Sequence, residues 1–291
     1  MHTKKNKTII GINQNNIMPI VHGLWINGQL SALELLTIQS FLDNGFSFQL
    51  WTYESEIINA PTNTIIRNAN EILSFEQVFQ YNSINIHGHG KGSFAGFSDI
   101  FRYKLLYEHG GIWTDMDITC LQPFKIEKEY FFRYHHKSGA VGNFMKCPKG
   151  SELMKWCYEE ASQKVNAYNT DWVLPIKILN DGILKFGLTT YTKKISNDDS
   201  FPEVAKLLSS NQKIPNDWKI IHWMNEEFRR LNIAKDVCLQ SSTLDKLYNK
   251  HHITHKNYAG LDVIKNKILL SRFYYLLRNI KSTLNWYLSF D

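Results

Sequence analysis

Cysteine is scarce in this chain: four in 291 residues, at Cys120, Cys147, Cys157 and Cys238. No pair has CxxC spacing, so zinc binding by paired cysteines is not expected. Scattered cysteines in a chain of this size read as buried thiols of a reducing compartment. Long apolar runs are missing too, and none approaches the ~20 residues that span a bilayer. The polar, basic start from Met1 to Lys7 leads into no apolar stretch of the ~7–15 residues of an export signal. The expectation is a cytoplasmic protein. There is no internal repeat and no low-complexity linker. Neither sign of charge dominates, since 33 basic against 27 acidic residues give a net charge of +6. That modest excess fits an anionic partner and equally a solvated basic face; no nucleic-acid partner is expected.

What the chain does have is core-forming material. Apolar residues make up 43% and aromatic residues 13%, which is globular composition. The aromatic share suits a stacking-rich binding site as well as an aromatic core. The length fits one α/β domain with at most a small appended lobe. Residues 17–26 (IMPIVHGLWI) form a short apolar run and read as a buried strand. Residues 31–44 repeat apolar side chains at helical spacing, with Ser31 as N-cap and Glu34 completing a capping box. Gly45 ends that helix, and residues 46–53 alternate as a second strand. A strand, a helix and a strand in succession form a βαβ unit and argue for a parallel sheet. Residues 54–86 carry no clear pattern. Helices are expected over 98–109 with Ser98 at the N-cap, over 151–166 and over 175–187, with strands over 112–119 and 219–224.

The segment richest in chemistry is SDIFRYKLLYEHGGIWTDMD, residues 98–117. On a strand, alternate side chains share a face, so Asp115 and Asp117 are expected to point together, with Met116 toward the core. Adjacent carboxylates repel unless a cation separates them, and hard oxygen ligands suit Mg²⁺ or Mn²⁺. Such an ion would neutralise charge developing on a leaving diphosphate. A DxD pair by itself reads equally as two solvated loop aspartates. Asp99 and Arg102, three residues apart, share a helix face: a carboxylate can accept from ribose hydroxyls and a guanidinium can clamp phosphates. Gly110-Gly111 lets the helix stop and turn straight into the carboxylate-bearing strand.

The set Ser98, Asp99, Arg102, Gly110, Gly111, Asp115 and Asp117 resembles the signature of the DXD-motif sugar transferases. These include capsule and lipopolysaccharide transferases, yeast-type mannosyltransferases and glucosylating clostridial toxins. The resemblance implies a GT-A fold: a Rossmann-like, mostly parallel central sheet with flanking helices. It also implies that Ser98 and Asp99 lie at the nucleoside, that Arg102 contacts the diphosphate, and that Asp115 and Asp117 hold Mn²⁺ or Mg²⁺. Residues 21–30 (VHGLWINGQL) resemble the family's first strand and turn, in which Trp25 would stack on the base and His22 would be structural. Residues 220–223 (IIHW) resemble a late segment that would make His222 the third metal ligand, with Trp223, Asn225 and Glu226 beside it. Residues 141–150 resemble a segment near the sugar, which implies a contact from Asn143. Residues 171–187 resemble a segment in which Asp171 and Trp172 would bind sugar, though Leu174 stands where the family has glycine. The Gly-rich stretch 87–96 lacks P-loop spacing and reads as a loop over the donor, in which Lys91 is a solvated lysine.

Residues 265–290 place apolar side chains in a continuous helical stripe, interleaved with Lys265, Lys267, Arg272, Arg278 and Lys281. That is the composition of an amphipathic helix on an anionic membrane, and also of a helix docked on the protein's own core. The expected organisation is a GT-A domain over 1–260 and a basic C-terminal helix over 261–291. The expected function is a retaining transfer of sugar from a nucleotide-sugar donor, UDP-linked, to a glycan or lipid-linked acceptor. The setting implied by the resemblance is bacterial surface polysaccharide synthesis on the inner face of the cell membrane. The alternatives are an inactive or effector-type protein on the same fold, one that binds nucleotide sugar or membrane or glycosylates a protein. A nucleotidyltransferase is disfavoured because residues 20–30 carry no Gly-rich phosphate loop.

Overall fold

The computed structural model describes residues 19–55, 59–85, 89–271 and 280. In chain order the elements begin with β1 (Ile20–Trp25), α1 (Ala32–Asp43), β2 (Ser47–Thr52), β3 (Ile65–Asn68) and α2 (Ala95–His109). There follow β4 (Gly111–Thr114), β5 (Ile118–Cys120), β6 (Phe131–His135), β7 (Gly139–Cys147), α3 (Glu152–Lys164) and α4 (Leu174–Lys185). The last are β8 (Thr192–Lys193), α5 (Phe201–Ser209), β9 (Ile220–His222), α6 (Asn225–Leu231), β10 (Val237–Cys238), α7 (Thr243–Lys250), β11 (Lys256–Asn257) and α8 (Leu261–Leu269).

The central sheet has seven strands in the order β3-β2-β1-β4-β7-β6-β8. Only β7 runs against the others, so the expected α/β architecture with a mostly parallel sheet is present. Alternating side chains feed two cores. Leu24, Trp113, Phe132 and Met145 pack with residues of α2, α3 and α4. Val21, Ile112, Phe131 and Phe144 pack with Ile38 and Phe41 of α1. A third core joins α1 to α5, α6 and α7 through Leu33, Val204, Phe228 and Leu247. All four cysteines are free and buried. Among the described residues no helix is long and apolar enough to cross a membrane.

The βαβ start follows its sequence signals. The Ser31 backbone N–H donates to the Glu34 carboxylate at 2.9 Å in a capping box, and Gly45 follows the helix end at φ +81°. Helices α3 and α4 and strand β9 stand within two residues of expectation at each end. Three readings need correction. First, α2 begins at Ala95 rather than Ser98, because the Ser93 hydroxyl accepts from Ala95 N at 3.2 Å. Ser98 therefore lies inside the helix, its N–H bonded to Phe94 O at 2.8 Å. Second, residues 112–119 are not one strand. Chain direction changes at Asp115–Asp117, and β5 leaves the central sheet to pair antiparallel with β9. Third, α8 spans only Leu261–Leu269, with Leu270 as its C-cap, rather than running unbroken along the stripe; of the rest, 272–279 and 281–291 lie outside the described residues. The hairpin β6–β7 carried no helical or strand expectation.

The junction between α2 and β4 depends on glycine. Gly110 has φ +68° and ψ −163°, a region that only glycine visits freely. A Cβ there would stand 2.4 Å from the Lys149 backbone nitrogen. Beside it, His22 accepts at Nδ1 from Trp51 Nε1 at 3.1 Å and so donates from Nε2 to Gly110 O at 3.1 Å. Burial lowers its pKa to about 4, so this is a neutral structural histidine, as expected. Gly110→Ala is expected to cost about 3 kcal/mol or more in urea unfolding, from strain plus backbone overlap. Gly45→Ala, with φ +81° but nothing within 4 Å, should cost only about 1 kcal/mol.

Candidate active site

The site lies where β1 and β4 end, the edge of a parallel sheet at which ligands bind in open α/β folds. Beyond β4 the chain turns through Asp115 and Asp117, and neighbouring elements hold each carboxylate. Asp115 N donates to Asn143 O on β7 at 2.8 Å. Its Oδ1 accepts from Trp113 Nε1 at 2.8 Å and from Arg102 at 3.0 Å. Arg102, 5% exposed, also pairs with Asp99 at 3.2 Å, donates to Ser98 O and Oγ at 3.3 Å each, and lies 5.1 Å from the Trp113 ring. One guanidinium thus bridges Asp99 and Asp115. Burial and the neighbouring Asp115 raise the Asp99 pKa to about 6, against the pull of Arg102. Burial raises that of Asp115 as well. The bridge needs close approach, since a Cβ on Gly142 would stand 2.8 Å from the Arg102 guanidinium.

Asp117 is held from the opposite side. Its Oδ2 accepts from Asn225 N at 2.6 Å and faces His222 Nε2 at 3.3 Å, while its backbone O accepts from Trp223 N at 2.9 Å. The pairing of β5 with β9 brings His222 there, opposite Ile118. His222 Nδ1 donates to Asp199 Oδ1 at 2.7 Å, and Asp199 in turn accepts from Arg133 at 2.6 and 2.8 Å. Burial opposes a charge on His222, but Asp199 and Asp117 outweigh it and raise its pKa to about 10. Despite their own burial, Asp117 and Asp199 are held below the usual carboxylate range, chiefly by His222. Met224 adopts φ +60° just before Asn225, a backbone strain that a non-glycine residue pays where surroundings demand it.

A divalent cation fits these residues. Asp115 and Asp117 offer carboxylate oxygens and His222 offers Nε2, now turned toward Asp117. Asn225 Oδ1 is buried with no hydrogen-bond partner, on the residue whose backbone N–H binds Asp117. The Asp199–His222 bond matches the carboxylate that orients a metal-bound imidazole. Oxygen-rich ligation of this kind suits Mn²⁺ or Mg²⁺. The set is laid out rather than closed, because Asp115 leans to Arg102. The three metal-ligating side chains of the described residues that do converge, to within 4.8 Å, are Cys238, Asp245 and His255, elsewhere in the fold.

Trp25 ends β1 half-buried, its Nε1 bonded to Gly28 O at 3.0 Å and Lys235 Nζ standing 5.7 Å from its ring centre. Asn143 is brought to the site but lies beneath it, 8% exposed, with Oδ1 accepting from Arg133 at 3.3 Å and Nδ2 3.3 Å from His222 Nδ1. Asp171 does not join the cluster; it accepts from Val173 N at 3.1 Å and pairs with Lys177 at 2.7 Å on an exposed turn. The neighbouring Trp172 instead packs against Tyr81 and His89, with ring centres 5.5 and 6.0 Å apart. Residues 89–91 are tied to α6: His89 bonds Glu227 at 3.0 Å, Gly90 N donates to Glu226 at 3.1 Å, and Arg229 donates to Lys91 O at 2.7 Å. Sequence reading missed Asp199, Arg133 and Lys235. Arg133 offered one signal, a charge set inside the aromatic run FFRYH; nothing in local spacing marks Asp199.

Residues 33–132 match the family model described as a glycosyltransferase sugar-binding region containing a DXD motif. That span runs from α1 to β6 and includes Asp99, Arg102, Asp115 and Asp117. No curated protein matches the sequence. Among solved structures, the chain is similar to a PaToxG glycosyltransferase at 15% identity and TM-score 0.43, over 58% of this chain and 69% of that one. It is also similar to a mutant transferase at 12% identity and TM-score 0.39, over 60% of this chain and 86% of that one.

If Asp199 orients His222 for a cation, Asp199→Asn should weaken Mn²⁺ binding about 10–100-fold by calorimetry while the far-ultraviolet spectrum stays folded. His222, with its pKa raised to about 10, must shed a proton to ligate. Apparent Mn²⁺ affinity should therefore rise as pH rises through neutrality, with about one proton released per ion in buffers of different ionisation enthalpy. A pH-independent affinity would remove His222 from the ligand set.

Proposed function

We propose that this chain, a glycosyltransferase of the DXD-motif family, transfers a sugar from a uridine-diphosphate donor to a hydroxyl of a glycan acceptor. The observation that carries this reading is the cluster at the sheet edge, in which Arg102 joins Asp99 to Asp115 and His222 faces Asp117, with Trp25 ending the neighbouring strand β1. Trp25 suits stacking on the base, worth about 1–3 kcal/mol by analogy with other base–aromatic contacts. Asp99 suits the ribose hydroxyls. Arg102 supplies positive charge toward the diphosphate while holding Asp99 and Asp115. Asp115, Asp117 and His222 would hold Mn²⁺ or Mg²⁺. A bound cation there would neutralise the negative charge that grows on the leaving diphosphate.

In the transfer, the acceptor oxygen bonds to the anomeric carbon as the bond from that carbon to the β-phosphate oxygen breaks. The carboxylates Asp99, Asp115, Asp117 and Asp199 are each engaged with a guanidinium or an imidazole. In the proposed transfer the acceptor proton passes to the departing phosphate oxygen, on the face the diphosphate leaves, with retention of configuration; the engagement of these carboxylates supports a route without an enzyme base. The protein's part is to bind, orient and exclude water. With water as acceptor, the same geometry hydrolyses the donor slowly.

The setting we propose is synthesis of bacterial surface polysaccharide on the inner face of the cell membrane, with a lipid-linked acceptor. Helix α8 supports it: Val263 packs on the core, while Leu261, Ile264 and Ile268 are 73%, 57% and 56% exposed, flanked by Lys265 and Lys267. An apolar stripe with cations beside it suits an anionic leaflet.

Calorimetry with UDP, GDP and CMP, each with and without Mn²⁺, tests the donor. UDP should bind only with the metal, and Asp117→Ala should abolish that metal-dependent binding. Preferred binding of GDP would move the donor to another sugar class, and metal-independent binding would overturn the site assignment. Sedimentation with phosphatidylglycerol vesicles should pull the protein down at low salt, and neutral phosphatidylcholine vesicles should not. The double variant Ile264→Glu, Ile268→Glu should stay in solution; retained binding would place the membrane contact elsewhere.

A further inference from the structure

A second cluster of ligand-type side chains lies in the C-terminal part of the fold, apart from the DXD turn. Cys238 ends β10, Asp245 sits in the first turn of α7, and His255 precedes β11. Their ligand atoms all lie within 4.8 Å of one another. Cys238 Sγ is 3.6 Å from Asp245 Oδ1, and His255 Nε2 is 2.9 Å from that same oxygen. With bond lengths of about 2.0–2.3 Å, a tetrahedral Zn²⁺ holds its ligand atoms about 3.3–3.7 Å apart, so the cluster needs only small shifts to close on an ion.

The chemistry of the imidazole points the same way. His255 Nδ1 lies 2.8 Å from Ile253 O, an acceptor that fixes the proton on Nδ1. Nε2 then faces a carboxylate oxygen at 2.9 Å, an approach that either a second ring proton or a bound cation satisfies. A backbone carbonyl on the far nitrogen is the usual partner of a metal-bound histidine. The carboxylate is itself oriented, since Asp245 Oδ2 accepts from Ser241 N at 2.8 Å. Asn257 Nδ2 stands 2.8 Å from Asp245 Oδ1 and 3.5 Å from Cys238 Sγ. An amide oxygen and nitrogen are assigned by their hydrogen bonds, so turning this amide over presents an oxygen to the same point.

We propose that Cys238, Asp245 and His255 form a structural Zn²⁺ site, closed by the side-chain oxygen of Asn257. Cys238 and Asp245 are 4% and 6% exposed, which fits a closed structural site rather than a catalytic one with an open position. Without an ion, burial and the adjacent Asp245 push the Cys238 thiol up to about 12; binding therefore expels the thiol proton and leaves a thiolate on the metal. The site ties β10, β11 and the start of α7 together. That unit carries Lys235, which pairs with Glu34 at 2.6 Å beside Trp25. The proposal does not depend on the transferase reading.

The test uses the full chain, stripped with chelator and refilled with Co²⁺ or Zn²⁺. Co²⁺ should give a near-ultraviolet thiolate charge-transfer band in the wild type and in Asp117→Ala, because the DXD site offers no sulfur. The band should vanish in Cys238→Ser and weaken in His255→Gln. Zn²⁺ should raise the wild-type Tm by several degrees, with one ion retained per chain after dialysis. Absence of both the band and the Tm shift in the wild type would overturn the proposal and leave a hydrogen-bonded cap on α7. Should Cys238→Ser fail to fold, the wild type and Asp117→Ala still decide it, since Cys120, Cys147 and Cys157 lie apart from this cluster.

Discussion

Neutralisation of buried carboxylates is the constraint on which this structure turns. Asp99, Asp115, Asp117 and Asp199 lie together at the sheet edge, each 6–29% exposed or close to it. Isolated, such charges would carry several kcal/mol each in lost hydration. They are interleaved with Arg102, His222 and Arg133, so that each carboxylate meets a cation. Even with His222 protonated, the group keeps one negative charge in excess. Replacing the imidazole proton with a divalent cation brings it to neutrality. The deficit that makes the cluster costly to fold is thus the property that suits it to a metal and a diphosphate.

The surrounding architecture serves this cluster. Arg102 can lie under Asp115 only because Gly142 on β7 leaves room for its guanidinium, and β4 can follow α2 directly only because Gly110 accepts a glycine-only conformation. The pairing of β5 with β9 brings His222 across more than a hundred residues to Asp117. The strained Met224 then aims the Asn225 N–H at the same carboxylate. These are close approaches of backbone to buried charge, and they place the site on strands and helix ends rather than on free loops.

The C-terminal third closes the assembly from behind. Asp236 accepts from Ala32 N at 2.7 Å, Lys235 pairs with Glu34, and His251 bonds Asp43 at 2.6 Å. Helix α1 is therefore gripped at both ends by residues two hundred positions away. Lys235 also stands over the Trp25 ring, so the end of β1, the start of α1 and the C-terminal unit are held together.

Much of this was legible beforehand. Local signals determined the first βαβ unit, through the capping box at Ser31 and Glu34 and the glycine at position 45, because caps and turns act over a few residues. The joint spacing of Asp99, Arg102, Gly110, Gly111, Asp115 and Asp117 pointed to the DXD-motif resemblance and to this cluster, since one helix, one turn and one strand end carry all six. Tertiary structure alone decided the rest. It broke the expected strand at Asp115, because β5 gains a partner in β9 that local pattern cannot announce. It moved Asn143 beneath the site and left Asp171 outside it. It also supplied Asp199, Arg133 and Lys235, whose roles come from charges met across long stretches of chain. Periodicity reports which face a residue presents; only folding reports which charge it will meet there.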